Sequence, residues 1–170
     1  MESAQSMDSK VDELTAIQKQ LCFGGEYRID FVKNFLRAIH RFNEAENVSL
    51  NVKCFIVAEE SSKTIIKLLK AVGILKYFVS ASAMNPNKFV SHVMGCDHKL
   101  SIEAQGKTHL ILLKLLQFLQ RSHGEMLYIG NDREIVSHLK RIKVCETFFC
   151  QTKGLTEKDF GEIQETHFLS

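Results

Sequence analysis

LYIGNDREIVSHLKRI, residues 127–142, is the most informative stretch of this chain. It begins with an apolar run that ends at a glycine, and Asn131 and Asp132 follow with oxygen-bearing side chains that can bind a metal ion. Residues 134–142 then have the apolar spacing of a helix. A parallel sheet presents its ligands in this way, at the carboxyl end of a strand. The stretch therefore predicts a strand, a polar edge and a helix.

Strand and helix patterns alternate along most of the chain. Short apolar runs typical of buried strands occur at residues 52–58, 77–81, 126–129 and 144–150. Helical spacing predicts helices over residues 29–45 with Asp30 as the cap, from Ser61 or Ser62 to Gly73, and over 87–94, 106–120, 134–142 and 157–168. Residues 12–21 fit a helix or a strand. We therefore predict an α/β fold, a three-layer α/β/α Rossmann-like domain with a mostly parallel sheet of about four to five strands.

The length and composition fit one globular domain. The chain has 170 residues, of which 45% are hydrophobic and 25% are charged, and these fractions are ordinary for a folded domain. Residues 1–10 are small and polar, so we expect a flexible leader followed by a single domain over residues 11–170. The net charge of +2 lacks the strongly basic balance of a nucleic-acid-binding protein. We expect no nucleic-acid partner.

The cysteines and the longest apolar run indicate the compartment. The cysteines are odd in number and no signal peptide precedes them, so a reducing cytoplasm is the expected location. They are Cys22, Cys54, Cys96, Cys145 and Cys150. The longest apolar stretch, residues 110–119, is interrupted by Lys114 and Gln117 and is too short to span a bilayer. We therefore expect no membrane partner.

Three stretches in this order resemble the core of the haloacid dehalogenase (HAD) superfamily, the Rossmann-like phosphohydrolases and phosphotransferases. They are VKCFIVAEESSKTIIKLLKAVGILKYF (52–78), GKTHLILLKLLQFL (106–119) and EMLYIGNDREIVSHLKRIKVCETFFCQTKGLT (125–156). Members of this family attack phosphorus with an aspartate that follows the central strand, and a second aspartate two residues later acts as acid and base. A hydroxyl residue binds the phosphoryl oxygens, a lysine neutralises charge, and one or two aspartates hold Mg²⁺.

The resemblance assigns candidate roles residue by residue. Lys107 matches the catalytic lysine, and Asn131 and Asp132 match the magnesium ligands, with asparagine in place of the first aspartate. The phosphate-binding hydroxyl falls on Ala58, and only a shifted alignment brings Ser61 or Ser62 to that role. The same side chains also fit simpler roles, because aspartate and serine are common helix caps and Lys107 fits a surface lysine.

The nucleophile of the family is missing. No Asp-x-Asp occurs in the chain, and the nearest candidate is VDELTA, residues 11–16, where Asp12 and Thr15 resemble a blurred version of the motif. Without the nucleophile the aspartyl-phosphate route is closed. We therefore expect a HAD-like domain descended from magnesium-dependent phosphohydrolases, with weak or no phosphatase activity. An active phosphatase acting on a small phosphate ester or a phosphoprotein, and a non-catalytic domain that binds a protein partner, are the alternatives.

Overall fold

Helices and short strands follow one another along the chain. The computed structural model describes residues 14–45, 52–58, 60–78, 93–94, 108–151 and 154–167, and the predicted leader lies outside these ranges. The helices are α1 (Ala16–Phe23), α2 (Glu26–Glu44), α3 (Ser62–Ala71), α4 (Thr108–Leu119), α5 (Arg133–Ile142) and α6 (Glu157–His167). The strands are β1 (Ile56–Val57), β2 (Val93–Met94), β3 (Leu127–Gly130) and β4 (Glu146–Phe149). Within these ranges no helix combines the length and the apolar character needed to cross a membrane.

The strands form two parallel pairs. Strand β1 pairs with β2, with Ile56 opposite Val93, and β3 pairs with β4, with Leu127 opposite Glu146. The predicted combination of helices with parallel strands is therefore confirmed. The predicted sheet of four to five strands is not formed as one ladder by the described residues, which make two separate pairs.

The first helix resolves the choice that the sequence left open for residues 12–21. The Thr15 side chain accepts a hydrogen bond from the Gln18 backbone N–H, and the Gln18 side chain accepts one from the Thr15 N–H. This reciprocal capping box satisfies two donors that a helix start leaves unpaired. Gly24 then ends α1 with φ of 78°, a left-handed conformation that glycine adopts readily. The segment is a helix because both of its ends are specified locally.

The second helix begins earlier than the apolar spacing indicates. It starts at Glu26 after Gly25, so Asp30 lies inside α2 and the prediction that it caps the helix is wrong. Glu26 forms an ion pair with Lys19 of α1, with 2.8 Å between Nζ and Oε2. The additional turn carries Tyr27, whose ring packs edge-on against Phe31. A polar first turn that pairs with α1 therefore extends the helix beyond its apolar stripe.

Two predictions fail around the second strand. The helix predicted over residues 87–94 is wrong at its end, because Val93 and Met94 form β2 and Val93 is fully buried against β1. The strand predicted over residues 77–81 does not begin at Tyr77, which lies in a 3-10 turn (Leu75–Tyr77). This turn directs Phe78 into the core. The remaining residues of both predicted elements lie outside the described ranges.

Strand β1 and the residues beside it pack in two directions. Cys54, Ile56 and Ala58 contact a cluster formed mainly by α2 and α3, whereas Phe55 and Val57 contact α4. Successive side chains of a strand point to opposite faces, so helices cover both faces of β1. The residues of α2, α3 and β2 in the first cluster include Ile29, Leu36, Ile65, Leu69 and Val93.

Helix α4 contacts both strand pairs. Its residues Ile111 and Leu115 pack against Phe55 and Val57 beside β1, and also against Met126 just before β3. Its residues Leu112 and Leu116 belong to a cluster with residues of α5 and the segment before β4, namely Leu139, Val144 and Cys145. The prediction that residues 106–120 form a helix packed on more than one side is confirmed for the described part, and α4 links the two halves of the core.

Candidate functional site

The carboxyl end of β3 leads directly into a capped helix. Asp132 is the N-cap of α5, and its oxygen Oδ1 accepts hydrogen bonds from the backbone N–H groups of Glu134 (2.9 Å) and Ile135 (3.1 Å). In the described part of the chain no group donates a hydrogen bond to the other oxygen, Oδ2. The capping role weighed from the sequence is therefore present, and one carboxylate oxygen remains available.

Asn131 and Asp132 are the two side chains at this edge that the resemblance assigns to a magnesium ion. Asn131 and Asp132 are both exposed beside each other, and Mg²⁺ takes one or two protein carboxylates while it retains several waters. No three His, Cys, Asp or Glu side chains among the described residues lie close enough together to hold an ion. A magnesium site at Asn131 and Asp132 therefore stays a prediction.

Tyr128 covers the glycine at the end of β3. A Cβ atom at Gly130 would lie 2.7 Å from Cε1 and 2.9 Å from the hydroxyl oxygen of Tyr128. Burial, and then the charge of Asp132, raise the pKa of the Tyr128 hydroxyl. The hydroxyl therefore lies at the same edge as Asp132. The sequence analysis missed this residue, although a tyrosine two positions before a glycine on one strand occupies the same face.

Ser61 occupies the equivalent position after β1. It is the N-cap of α3, and its hydroxyl accepts a hydrogen bond from the Thr64 N–H (3.2 Å) and lies 2.8 Å from the Thr64 hydroxyl. The cap predicted at Ser61 or Ser62 is therefore Ser61, and Ser62 is the first residue of the helix. Among the described residues, the hydroxyl of Ser61 bonds to Thr64 and not to the β3 edge. A phosphate-binding role for either serine stays a prediction.

Lys107 lies outside the described residues. The helix that follows it, α4, lies beside the start of α5. Thr108 begins α4, and it lines a shallow cleft of about 200 Å³ together with Glu134, in the first turn of α5. The start of α4 is therefore adjacent to the start of α5, which Asp132 caps. The predicted proximity of Lys107 to Asp132 stays a prediction, because Lys107 lies outside the described residues.

Two histidines form one wall of this cleft. The rings of His109 and His138 are 5.1 Å apart between centroids, and Nη2 of Arg141 lies 3.0 Å from Nδ1 of His138. A guanidinium group can only donate, so this contact selects the His138 tautomer that carries its proton on Nε2. The sequence analysis missed both histidines, because their contact joins two helices that are distant in sequence.

Two buried thiols lie near β4. Cys150 follows β4, and its backbone N–H donates to the carbonyl of Gly130 (3.0 Å). Burial is the main cause that raises the pKa of the Cys150 thiol to about 11, and Asp159 adds to the effect while Arg28 opposes it. Burial likewise raises the pKa of Cys145 to about 11. Both thiols are therefore protonated at neutral pH, and neither supplies a thiolate nucleophile.

Replacing Asp132 with alanine should lower the free energy of unfolding by about 1 kcal/mol, because the N–H groups of Glu134 and Ile135 lose their acceptor. Asp132→Asn should keep most of the stability, since asparagine caps helices as well as aspartate does. Urea denaturation followed by circular dichroism measures both variants. Equal losses for alanine and asparagine would contradict the capping role.

Comparisons with protein-family models, with curated proteins and with solved structures give no match for this chain.

Proposed function

We propose that this chain is a HAD-like domain with a three-layer α/β/α architecture. Two features support the proposal. Each parallel strand pair includes a strand that leads into a capped helix, with Ser61 after β1 and Asp132 after β3. Helices α2 and α3 pack on one face of β1 and α4 packs on the other, as expected for a strand inside a covered parallel sheet.

The function that this arrangement supports best is binding of a small phosphate ester with weak or no phosphatase activity. The proposal rests mainly on the hydrogen bonds of Asp132. Its Oδ1 caps α5, so only one carboxylate oxygen, Oδ2, remains available at the carboxyl end of β3. Asn131 beside it has no charge. Phosphoryl transfer through an aspartyl-phosphate needs a nucleophile, an acid and a charged metal site together, and this edge offers only a weak metal site.

The two buried thiols near β4 do not replace the missing aspartate. The nearest thiols, Cys145 and Cys150, are buried and protonated, since burial raises the pKa of each to about 11. A thiol attacks phosphorus as the thiolate, which is scarce at neutral pH for these residues. This chemistry supports a binding domain more than an enzyme.

The ligand we propose interacts with both helix starts. Lys107 would neutralise the phosphate charge, Asn131 and Asp132 would hold Mg²⁺ with its waters, and Ser61 or Ser62 is the candidate for a further phosphate contact. The shallow cleft of about 200 Å³ between α4 and α5 adjoins these residues. The free cysteines among the described residues suit the reducing cytoplasm that we propose as its location.

The test uses p-nitrophenyl phosphate as both ligand and substrate. With Mg²⁺ present, we expect the ester to raise the melting temperature of the protein, because a ligand that binds only the folded state adds about 2.7 kcal/mol at 100 times its dissociation constant. Lys107→Ala should lose this shift, whereas Lys140→Ala, at an exposed lysine in the last turn of α5, should retain it. We expect no release of p-nitrophenol above the uncatalysed rate.

Two results would overturn the proposal. Magnesium-dependent release of p-nitrophenol that Asp132→Ala abolishes would identify an active phosphatase instead. The absence of any ester-dependent stabilisation at millimolar concentrations would reject a phosphate-ester ligand and favour the protein-binding alternative.

A further inference from the structure

We infer that the side of β3 that faces away from β4 is a docking site for an extended apolar segment of another protein, which binds there as an added strand. The backbone N–H and C=O groups of Leu127 and Ile129 define this open side of β3. The inference is independent of the phosphate-ester proposal, because it uses the backbone of the strand and not the side chains at its carboxyl end.

The hydrogen bonds to β4 identify the open side. The N–H of Cys150 donates to the carbonyl of Gly130, with 3.0 Å between the two atoms. In a parallel ladder the backbone groups of alternate residues point to the same neighbouring strand, so Gly130 and Tyr128 point to β4. The groups of Leu127 and Ile129 point to the opposite side, and no described residue pairs with them there.

The packing of α4 shows what the open side faces. Met126, just before β3, packs against two clusters that both contain α4 residues. One cluster includes Phe55 and Val57 of the β1 segment, and the other includes Val144 and Cys145 of the segment that leads into β4. Strand β4 therefore lies on one side of β3 and the β1–β2 pair on the other. No ladder joins the two pairs within the described ranges.

The chemistry of the open side selects an apolar strand. An unpaired strand side is a template for another strand, because its N–H and C=O groups can bond to the backbone of a partner. Strands whose sides meet water usually carry a charged residue or a proline. Strand β4 begins with the exposed Glu146, whereas β3, LYIG, has neither. Since Leu127 and Ile129 are also half-buried, an apolar segment fits this side better than a polar one.

The start of the chain does not have the composition of such a segment. Residues 1–13, MESAQSMDSKVDE, lie outside the described ranges and contain no two adjacent hydrophobic residues. Five of the thirteen are Asp, Glu or Lys, which are depleted in strands. Leu14, the next residue, packs against the cluster of α2 and α3. We therefore assign the docked strand to another protein that offers a run of β-branched or aromatic residues.

The test follows amide hydrogen exchange of the full chain by NMR. The probe is a short synthetic peptide of alternating valine and threonine with a lysine at each end. In the free protein, the N–H groups of Leu127 and Ile129 should exchange faster than that of Tyr128, which points to β4. Peptide at about ten times its dissociation constant should slow both about tenfold, because only about a tenth of the protein stays free. The N–H of Thr147, on the other side of β4, should not change.

A proline variant tests the open side from within β3. Ile129→Pro removes an N–H of the open side and leaves the hydrogen bonds to β4 in place, because a strand tolerates proline where the N–H is unpaired. It should weaken peptide binding about three- to tenfold, the size of one ordinary hydrogen bond. Thr147→Pro is the matched control and should bind as the wild type does. If Ile129→Pro does not fold, the same peptide methylated on all its backbone nitrogens tests the pairing, and it should not bind.

Three results would overturn the inference. Slow exchange of Leu127 and Ile129 in the free monomer would show that this chain covers the open side itself, through residues 79–92 or 95–107. Unchanged exchange at millimolar peptide would show that β3 accepts no further strand. Equal binding of the methylated peptide would show that side chains, and not backbone pairing, hold the probe.

Discussion

Replacing Leu115 with alanine should lower the free energy of unfolding by about 3 kcal/mol, within the range measured for leucine-to-alanine changes in tightly packed cores. Leu115 is 2% exposed and lies on the face of α4 that contacts side chains next to both strand pairs, Val57 of β1 and Met126 before β3. Its removal opens a cavity between elements that are held at several points, so the surroundings cannot collapse into it.

Leu113→Ala is the matched control for Leu115→Ala. Leu113 lies in the same helix, and the same change of residue type alters helix propensity equally. Its side chain is 36% exposed, so its loss should cost clearly less than that of Leu115. Urea denaturation of both variants, followed by circular dichroism, gives the two differences. Losses of the same size would show that α4 does not connect the two halves of the core.

The elements with strong local signals are the ones that the sequence predicts well. The predicted helix over residues 134–142 is α5, Arg133–Ile142, because apolar spacing and an aspartate cap coincide there. The strand before it lies within one residue of the prediction for the same reason: a glycine marks its end. These features depend on neighbours in the chain, so local patterns are sufficient to find them.

The failures come from contacts between distant parts of the chain. Strand β2 forms because Val93 pairs with Ile56. The local sequence of residues 87–94 contains no pattern that predicts this distant partner. The candidate site shows the same division. Asn131 and Asp132 are predicted because they follow a strand, whereas Tyr128 looks like any aromatic residue of an apolar run until its ring is seen across Gly130. The cleft wall of His109 and His138 requires two helices to be packed together.

Replacing Gly154 with alanine should lower the free energy of unfolding by about 2 kcal/mol, for a reason unrelated to cavities. Gly154 has φ of 139°, a region that residues with a β-carbon enter only at a cost of about 1–3 kcal/mol. An added β-carbon would also lie 3.0 Å from Nη1 of Arg28. The same guanidinium nitrogen lies 2.8 Å from the equivalent position at Gly24, so Arg28 lies between the end of α1 and the segment before α6 and would have to shift.

Gly161→Ala should have the opposite effect and serves as the control for Gly154→Ala. Gly161 lies inside α6, and a β-carbon there would meet no atom within 4 Å. Alanine in a helix interior is more stable than glycine by about 0.5–1 kcal/mol, because glycine loses more backbone freedom on folding. The melting temperature and the urea midpoint should therefore fall for Gly154→Ala and rise for Gly161→Ala, although the two positions are only seven residues apart. A stability gain from Gly154→Ala would contradict the requirement for a positive φ at this position.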